Sequence, residues 1–348
     1  MSWGRTVVLR AVIRFLACQV WIGAFTGVAI AADDQAVTSQ LSFDQCMQEQ
    51  IQDGDPTMTL GEIRALCLKQ NDITVERGYS AARQRLAMED RTEWNPFVIT
   101  PHRLNYILPY SHVSGLNEEP YEDFFAGEDL KSEEAKLQIS LKVPLYNRDL
   151  LFSNDAIYFA FTLKALWQVY NQNISAPFRE TNYRPELFYM VPLFKDWQYA
   201  DTALAVGFEH ESNGRGQLLS RSWDRVFLDF YYAKANYLIS FRPWYRIPEK
   251  DKKEPGSPKG DDNPDIHQYM GYFELMGTWE QHDYEFSLML RNNLSSPNRG
   301  AVRMDASFPI WGKLRGLLQY FNGYGESLID YDTSIERFGI GILFTDIL

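Results

Sequence analysis

The chain has 348 residues, of which 15% are aromatic, with a formal net charge of −12 and a mean hydropathy of −0.34. The negative mean hydropathy excludes a bundle of transmembrane helices, and the negative charge argues against a nucleic-acid partner, because phosphate backbones bind basic surfaces. Tyrosine and tryptophan concentrate where a protein surface passes from apolar to wet, and a membrane β-barrel, in which only alternate residues face lipid, fits both the aromatic content and the hydropathy.

The first 31 residues have the pattern of a secretory signal peptide. Three arginines form a positive n-region, an apolar stretch follows as far as Ile30, and Ala29 and Ala31 form a small-x-small cleavage site. An N-terminal membrane anchor is the alternative. Because these arginines are the only charged residues of the segment, cleavage would change the net charge from −12 to −15.

Residues 32–94 predict a helical extension, which we interpret as periplasmic and without a catalytic role. Apolar residues recur at helical spacing in 43–47 and 60–68, so two short helices are expected. Cys46 and Cys67 lie one in each predicted helix. An even pair of cysteines in an exported chain suggests a disulfide, and two buried thiols are the alternative.

Residues 95–348 predict an all-β fold, a twelve-stranded antiparallel transmembrane β-barrel. In 136–146 every second residue is apolar, which places the apolar residues on one face of a strand. About twelve such runs occur, most of them long enough to cross a bilayer as a tilted strand. Short turns alternate with long polar loops at 113–134, 213–223 and 248–266, as on the two rims of a barrel; a periplasmic β-sandwich is the alternative. The runs begin near residues 97, 136, 156, 185, 201, 224, 237, 267, 284, 301, 315 and 336.

One predicted strand ends in residues that carry chemistry. Every second residue from Thr202 is apolar until His210 and Ser212, so both lie at the end of the lipid-facing row. The same face of the next strand begins with Asp224, and an antiparallel return through the 213–223 loop brings Asp224 to the same rim. An imidazole can take the proton of a serine hydroxyl, and a carboxylate can orient that imidazole. The spacing therefore predicts a Ser-His-Asp triad on the outer wall.

Four ordered segments around these residues make the pattern specific. They are residues 175–183, residues 210–215 with 220–223 and Arg225, residues 261–266 with 269–272, and residues 323–331. Together they closely resemble the active-site region of the outer-membrane phospholipase A family, and the resemblance extends over roughly residues 95–348. It implies a twelve-stranded barrel in the outer membrane of a Gram-negative cell and hydrolysis of acyl esters of phospholipids and lysophospholipids. It also implies calcium as the cofactor and activation as a homodimer.

The resemblance assigns a role to each member of the predicted triad. The family's nucleophile falls on Ser212 and its general base on His210. The third member of the family triad is usually Asn and falls here on Asp224. A carboxylate accepts the same hydrogen bond as the amide oxygen and stabilises a positive imidazolium better, so this departure is compatible with the triad.

A calcium site is implied in the same way. Its ligands fall on the backbone carbonyl of Arg215, the hydroxyl of Ser220 and Ser175 of the second subunit. Calcium with its bound waters would stabilise the oxyanion together with a backbone N–H. Gln217 stands where the family often has an acidic residue, so we expect weaker calcium binding. Leu163 stands where a polar, dimer-facing residue is expected, so we expect a weaker dimer.

Two other classes of function remain open from the residues alone. An outer-membrane channel would carry its chemistry along the lumen-facing row with Glu209 and Glu211, and a structural barrel would carry none. Both predict that His210 and Ser212 can be replaced freely. Arg221 and Arg225 flank the predicted site, where their partners are either a lipid phosphate or other groups at the rim, such as lipopolysaccharide and loop carboxylates.

Overall fold

The structure is a computed structural model that describes residues 48, 50–52, 63, 80–92, 100–121, 129–147, 149–194, 201–254, 256–257, 259–312 and 314–348. The chain divides into two compact units, Met1–Asn71 and Asp72–Leu348. The described residues of the first unit are helical. The predicted signal peptide and both Cys46 and Cys67 lie outside the described residues. The limits of the extension at residues 32–94 therefore stay a prediction.

The second unit consists mainly of long antiparallel strands. No helix in the described part of the chain is long and apolar enough to cross a membrane. The elements are α1 (Ala81–Thr92), β1 (Thr100–Pro101), β2 (Asn105–Ser114), β3 (Glu133–Asn147), β4 (Ala156–Trp167), β5 (Phe178–Phe194), β6 (Asp201–Ser212), β7 (Ser222–Lys234), β8 (Tyr237–Ile247), α2 (His267–Met270), β9 (Phe273–Gln281), β10 (Tyr284–Asn292), β11 (Gly300–Trp311), β12 (Leu314–Gly323) and β13 (Ile335–Thr345), with short 3₁₀ turns at Glu119–Tyr121, Gln172–Ile174 and Gln217–Leu219.

Strands β2 to β13 form a closed barrel. Each pairs with its neighbours in chain order, and β13 pairs back with β2, while the two residues of β1 pair with β3. The predicted twelve-stranded antiparallel barrel is therefore confirmed. We call the end with the tight turns at 235–236 and 282–283 the short-turn rim, and the end with the loops 213–221, 248–272 and 324–334 the long-loop rim.

Three of the predicted strands differ from the observed ones. The run predicted near residue 267 is wrong: it forms helix α2, and β9 begins only at Phe273. The physical reason is that Ile266 and Met270, at helical spacing, pack into the apolar cluster inside the barrel. Strand β5 begins at Phe178 and not near residue 185, and the run expected near residue 97 gives a strand, β2, that begins at Asn105.

The two faces of the barrel wall have opposite chemistry. On β6 the outward Val206 and Phe208 side chains are 46% and 41% exposed, whereas the inward Ala205 and Glu209 are each 1% exposed. The same alternation continues on the neighbouring β7. Exposed apolar side chains on a membrane barrel face lipid, so the predicted lipid-facing row of β6 is confirmed.

Buried ion pairs link strands and loops across part of the lumen. Arg179 bonds Glu134 and Asp330 at 3.1 and 2.9 Å, and Arg337 bonds Glu134 and Glu326 at 2.6 and 2.7 Å. All five side chains are at most 2% exposed. Buried charges are tolerated when they are paired and hydrogen-bonded in this way. The network therefore cross-links β3, β5, β13 and the loop 324–334 from the inside.

Helix α1 lies against the short-turn rim. Its first N–H donates to the carbonyl of Ala235 in the β7–β8 turn. Arg85 donates to the carbonyl of Asp346, 2.6 Å away, near the C-terminus, and Glu89 pairs with Lys142 of β3 at 2.7 Å. Because the β7–β8 turn lies on the far side of the ring from β3 and the C-terminal strand β13, α1 extends across this end of the barrel.

Candidate active site

Strands β6 and β7 bring His210 and Asp224 together at the long-loop rim. The two residues are directly opposite each other in the antiparallel register. His210 Nδ1 lies 2.7 Å from Asp224 Oδ1, and the side chains are 40% and 31% exposed. An N–H donated from Nδ1 to the carboxylate leaves Nε2 as a hydrogen-bond acceptor. The pair is therefore oriented as a general base requires.

Ser212 is the last residue of β6 and lies on the same outer face. Because side chains of a strand alternate, the i, i+2 spacing sets it beside His210. Its partners in the register are Ser222 on β7 and Tyr183 on β5, and its side chain is half-buried. The structure thus places all three residues of the predicted triad on one patch of the outer wall.

The loop that follows the serine is closed by Asn213. Its Oδ1 accepts the N–H groups of Arg215 and Arg221 at 3.2 and 3.0 Å, and its Nδ2 donates to the carbonyl of Leu219 at 2.8 Å. Gly214 has φ +63, and a Cβ there would lie 3.1 Å from Tyr183, so glycine suits both the backbone and the contact. The loop 213–221 is therefore held in one conformation beside Ser212.

A carboxylate from the β8–β9 loop approaches this loop. Ser220 Oγ donates to Asp262 Oδ2 at 2.7 Å, and Ser222 Oγ is 3.5 Å from the same oxygen. The neighbouring Asn263 Oδ1 accepts the N–H of Ser222 at 3.0 Å. These bonds fix the β8–β9 loop to the site.

Negative charge accumulates at this part of the rim. Partial desolvation raises the pKa of Glu249, and the nearby carboxylates of Asp261 and Asp224 raise it further. Arg246 pairs with Asp261 at 2.6 Å, and Lys252 pairs with Asp262. Arg246 and Lys252 thus neutralise two of the carboxylates at this part of the rim.

The residues predicted to bind calcium lie at the same rim. Ser220 is half-buried in the loop after Ser212, and the guanidinium of Arg215 donates to the carbonyl of Arg179 at 2.9 Å, which ties that loop to β5. Ser175 lies in the β4–β5 loop, exposed, with φ +62. In the described part of the chain no three His, Cys, Asp or Glu side chains cluster as a metal site.

Asp262 is a residue of this site that the sequence analysis missed. The segment 261–266 contributed to the resemblance, but nothing in the sequence set it beside Ser220, which is 42 positions away. The available signal was the pair Asp261-Asp262 next to Asn263 within a conspicuous segment. Consecutive carboxylate and amide side chains are hard-cation ligands.

Comparison with known proteins decides the family. The family model described as Phospholipase A1 matches residues 82–344. The chain belongs to the phospholipase A1 family. Phospholipase A1 from Klebsiella pneumoniae is 37% identical over 256 residues, which cover 73% of this chain and 84% of that protein. Phospholipase A1 from Escherichia coli (strain K12) is 36% identical over 256 residues, which cover 73% and 83%.

Solved structures agree with this assignment. Outer membrane phospholipase A from Escherichia coli superposes with a TM-score of 0.66 at 34% identity and covers 73% of this chain and 95% of its own. The outer membrane phospholipase dimer of Salmonella typhi with bound calcium gives 0.67 at 34% identity and covers 74% and 97%. As a closed barrel of the phospholipase A1 family, the chain is an outer-membrane protein of a Gram-negative cell.

Arg225 requires a correction. The sequence analysis set it beside the site, but it points into the lumen, where it pairs with Glu209 and, at 3.0 Å, with Glu211. Its guanidinium lies 3.7 Å from the ring centroid of Trp223. The reason is the strand period: Arg225 follows the outward Asp224 and must face inward. Arg221 stays at the rim and donates to neighbouring loop carbonyls.

A second His-x-Ser pair lies on the same rim of this phospholipase A1 family barrel. His112 and Ser114 point outward from β2, and His112 Nδ1 lies 3.3 Å from Glu133 Oε1, directly across on β3. The His112 and Glu133 side chains are 53% and 41% exposed. Ser114 stands opposite Glu336 of β13. The residue types repeat those of the candidate active site, but the neighbouring groups do not.

Proposed function

We propose that the chain hydrolyses acyl ester bonds of phospholipids and lysophospholipids in the outer membrane. The observation that carries the proposal is the 2.7 Å contact between His210 Nδ1 and Asp224 Oδ1 on the lipid-facing wall, with Ser212 beside His210 on the same face. The relatives named Phospholipase A1 support the substrate class. Hydrolysis of an ester by a serine nucleophile also needs a general base and a hydrogen-bond acceptor that orients this base. Ser212, His210 and Asp224 would supply these three groups.

The reaction follows from the orientation of the imidazole. His210 Nε2 takes the proton of Ser212 Oγ as Oγ attacks the acyl carbonyl carbon. The imidazolium, stabilised by Asp224, returns this proton to the leaving oxygen of the glycerol, and the lysophospholipid departs. Water, deprotonated by the same Nε2, then attacks the acyl-serine ester. The fatty acid leaves, and the serine hydroxyl is restored.

The position of the triad suits a substrate that stays in the membrane. Outward Val206 and Phe208 on β6, with Val226 and Leu228 on β7, give an exposed apolar surface next to the triad. Acyl chains can pack on this surface, whereas the ester carbonyl lies at the boundary between hydrocarbon and headgroup. Because the triad lies at the end of the apolar rows, it meets the ester without lifting the lipid out of the bilayer.

Calcium is the proposed cofactor, and the residues present fit a hard cation. Ser220 Oγ and Asp262 Oδ2 are two oxygens already 2.7 Å apart, and the Arg215 carbonyl belongs to the same closed loop. Ser175 of a second copy would complete the set. Calcium bound there would supply positive charge for the oxyanion. Asp262 provides the anionic ligand that Gln217 does not.

Activation as a homodimer is part of the proposal. A related structure is a calcium-bound dimer, and Ser175 is exposed at the long-loop rim, where a second copy can reach it. Leu163 lies on β4 opposite Tyr183 of β5 and carries no polar group. A hydrogen bond across the membrane-embedded interface through this position is therefore not possible, and we expect a dimer that depends on calcium.

The channel interpretation receives no support from the lumen. Glu209 and Glu211, on which it depended, are both paired with Arg225. A cavity of about 620 Å³ does lie inside the barrel, but α1 residues such as Arg85 and Glu89 line it together with the wall. None of the three triad residues lines it. Candidate catalytic residues on the outer wall, and a lumen whose charged residues are paired with one another, fit a hydrolase better than a pore.

A direct assay tests the proposal. The full chain, folded in detergent micelles, is incubated with a diacyl phospholipid and with a lysophospholipid, and released fatty acid is measured with calcium and with EDTA. We expect hydrolysis of both substrates, at least about 10⁴-fold less with Ser212→Ala, and normal rates with Ser114→Ala as the matched serine. Equal rates for Ser212→Ala and wild type would contradict the proposed nucleophile.

The calcium part of the proposal is tested separately. We expect EDTA to abolish hydrolysis and millimolar calcium to restore it, with Ser220→Ala raising the calcium concentration for half-maximal rate about tenfold through loss of one ligand. Heat-modifiable gel migration shows that each variant is folded. Full hydrolysis in EDTA would show that no cation takes part, whatever the role of Ser212.

A further inference from the structure

We infer that Lys252 occupies the cation position beside Asp262 in the resting enzyme and that calcium must displace it. The inference rests on the proposed calcium site and adds a residue that sets the affinity of that site. It follows from contacts around Asp262 that neither the triad nor the barrel fold requires.

The two oxygens of Asp262 have different neighbours. Oδ2 accepts the Ser220 hydroxyl at 2.7 Å, and Oδ1 faces the ammonium of Lys252 in a direct ion pair. The side chains of Asp262 and Lys252 are only 9% and 17% exposed. Lys252 therefore neutralises the one carboxylate that lies against the serine of the proposed calcium site.

The backbone of the β8–β9 loop holds Lys252 in this position. The N–H of Asp261 donates to the carbonyl of Lys250 at 2.8 Å, so the two ends of this loop segment meet. Gly260 has φ +106, and a Cβ there would lie 2.9 Å from the Lys252 backbone. Lys250 and Lys253 are exposed, whereas Lys252 is half-buried. Of these three lysines, Lys252 is the one that the loop turns toward Asp262.

A divalent cation and the Lys252 ammonium on the single negative charge of Asp262 would repel each other strongly. In the lumen, Glu134 holds two arginines, but there two further carboxylates paired with the same arginines add the balancing negative charge. A calcium ion that binds Ser220 and Asp262 must therefore move the Lys252 ammonium into solvent. The lost ion pair weakens calcium binding by about five- to tenfold, the size expected for a pair near the surface. Lys252 would thus raise the calcium concentration needed for half-occupancy of the site by the same factor.

The test measures calcium binding itself and not hydrolysis. Full-length protein in micelles is titrated with calcium chloride by equilibrium dialysis against radioactive calcium, for wild type, Lys252→Met, Lys252→Arg and the matched surface variant Lys250→Met. We expect Lys252→Met to bind calcium about five- to tenfold more tightly, and both Lys252→Arg and Lys250→Met to bind like wild type. Damage to the loop would weaken binding, so a gain is specific.

Thermal unfolding gives a second measurement, because a ligand that binds the folded state raises its stability in proportion to the logarithm of its concentration over Kd. At a fixed calcium concentration, Lys252→Met should show a larger calcium-induced rise of Tm than wild type. Equal affinity of wild type and Lys252→Met would overturn the role of Lys252 and leave the calcium site standing. If neither protein bound calcium, the proposed calcium site and this inference would both be wrong.

Discussion

Two clusters on the long-loop rim contain the same residue types in the same spacing. His210, Ser212 and Asp224 lie on β6 and β7, and His112, Ser114 and Glu133 lie on β2 and β3. The His–carboxylate distance is 2.7 Å in the first and 3.3 Å in the second, and the first histidine is less exposed, 40% against 53%.

The surroundings differ more than the clusters do. Ser212 stands opposite Ser222 and next to a loop closed by Asn213, with Ser220 and Asp262 beside it. Ser114 stands opposite the carboxylate of Glu336. An oxyanion that formed near Ser114 would be repelled by that charge, whereas preorganised donors and a cation are what an oxyanion needs. A His-x-Ser pair therefore becomes a candidate active site only through the groups that surround it.

The largest difference is expected for the two histidines. His210→Ala should lower kcat by at least about 10⁴-fold, because base and nucleophile act as a unit, and His112→Ala should leave kcat within about twofold. The measurement is fatty-acid release from phospholipid micelles at saturating calcium. A loss of kcat with His112→Ala as large as with His210→Ala would show that the second cluster takes part in hydrolysis. The two clusters would then not differ in function.

The second largest difference in kcat is expected for the two carboxylates, Asp224 and Glu133. Asp224→Ala should lower kcat by about 10³-fold, since nothing then holds the imidazole with Nε2 free, and Glu133→Ala should have no effect. Asp224→Asn should stay within about tenfold of wild type, because an amide oxygen still accepts the bond from Nδ1–H. Comparable rates for Asp224→Ala and wild type would make Asp224 an ordinary rim charge.

Two buried loop asparagines, one beside the candidate active site and one far from it, allow an effect on catalysis to be distinguished from an effect on stability. Asn213 and Asn293 are buried, and each Oδ1 accepts two backbone N–H groups of its own loop at 3.0–3.2 Å. Replacing either by Ala should cost about 1–3 kcal/mol of stability for the unpaired groups. Only Asn213→Ala should also lower kcat, by about tenfold. The measurements are urea unfolding and kcat at saturating calcium; equal kcat values for the two variants would remove a positioning role of Asn213.

The smallest effect on catalysis is expected for Arg225, which lies on the lumen side of the wall behind the candidate active site. Arg225→Met leaves Glu209 and Glu211 without their shared partner, and loss of one member of a buried ion pair costs about 3 kcal/mol. Because Arg225 faces the lumen and not the substrate, kcat of the folded variant should stay within about twofold. Denaturant unfolding and hydrolysis assays on the same sample measure the effect on stability and the effect on kcat separately. A large loss of kcat with unchanged stability would return Arg225 to the site.

Much of the wall could be read from the sequence, because a strand alternates its faces at every residue. This rule predicted twelve strands, the outward row that ends in His210 and Ser212, and Asp224 on the adjacent strand. The same rule, applied strictly, excludes Arg225 from the outer face. The rule failed at residues 267–270, because a loop that folds back into the lumen is also apolar and its period then follows local packing.

The sequence by itself determined the barrel, its lipid-facing rows and, through resemblance, the family, and it supplied the three residues of the proposed triad. Only the tertiary structure decided which side chains from distant loops meet there: Asp262 beside Ser220, Lys252 beside Asp262, and α1 across the short-turn rim. The physical reason is the range along the chain over which each feature is determined. Strand periodicity is a local property of the backbone, whereas contacts between loops depend on barrel closure, which no local pattern encodes.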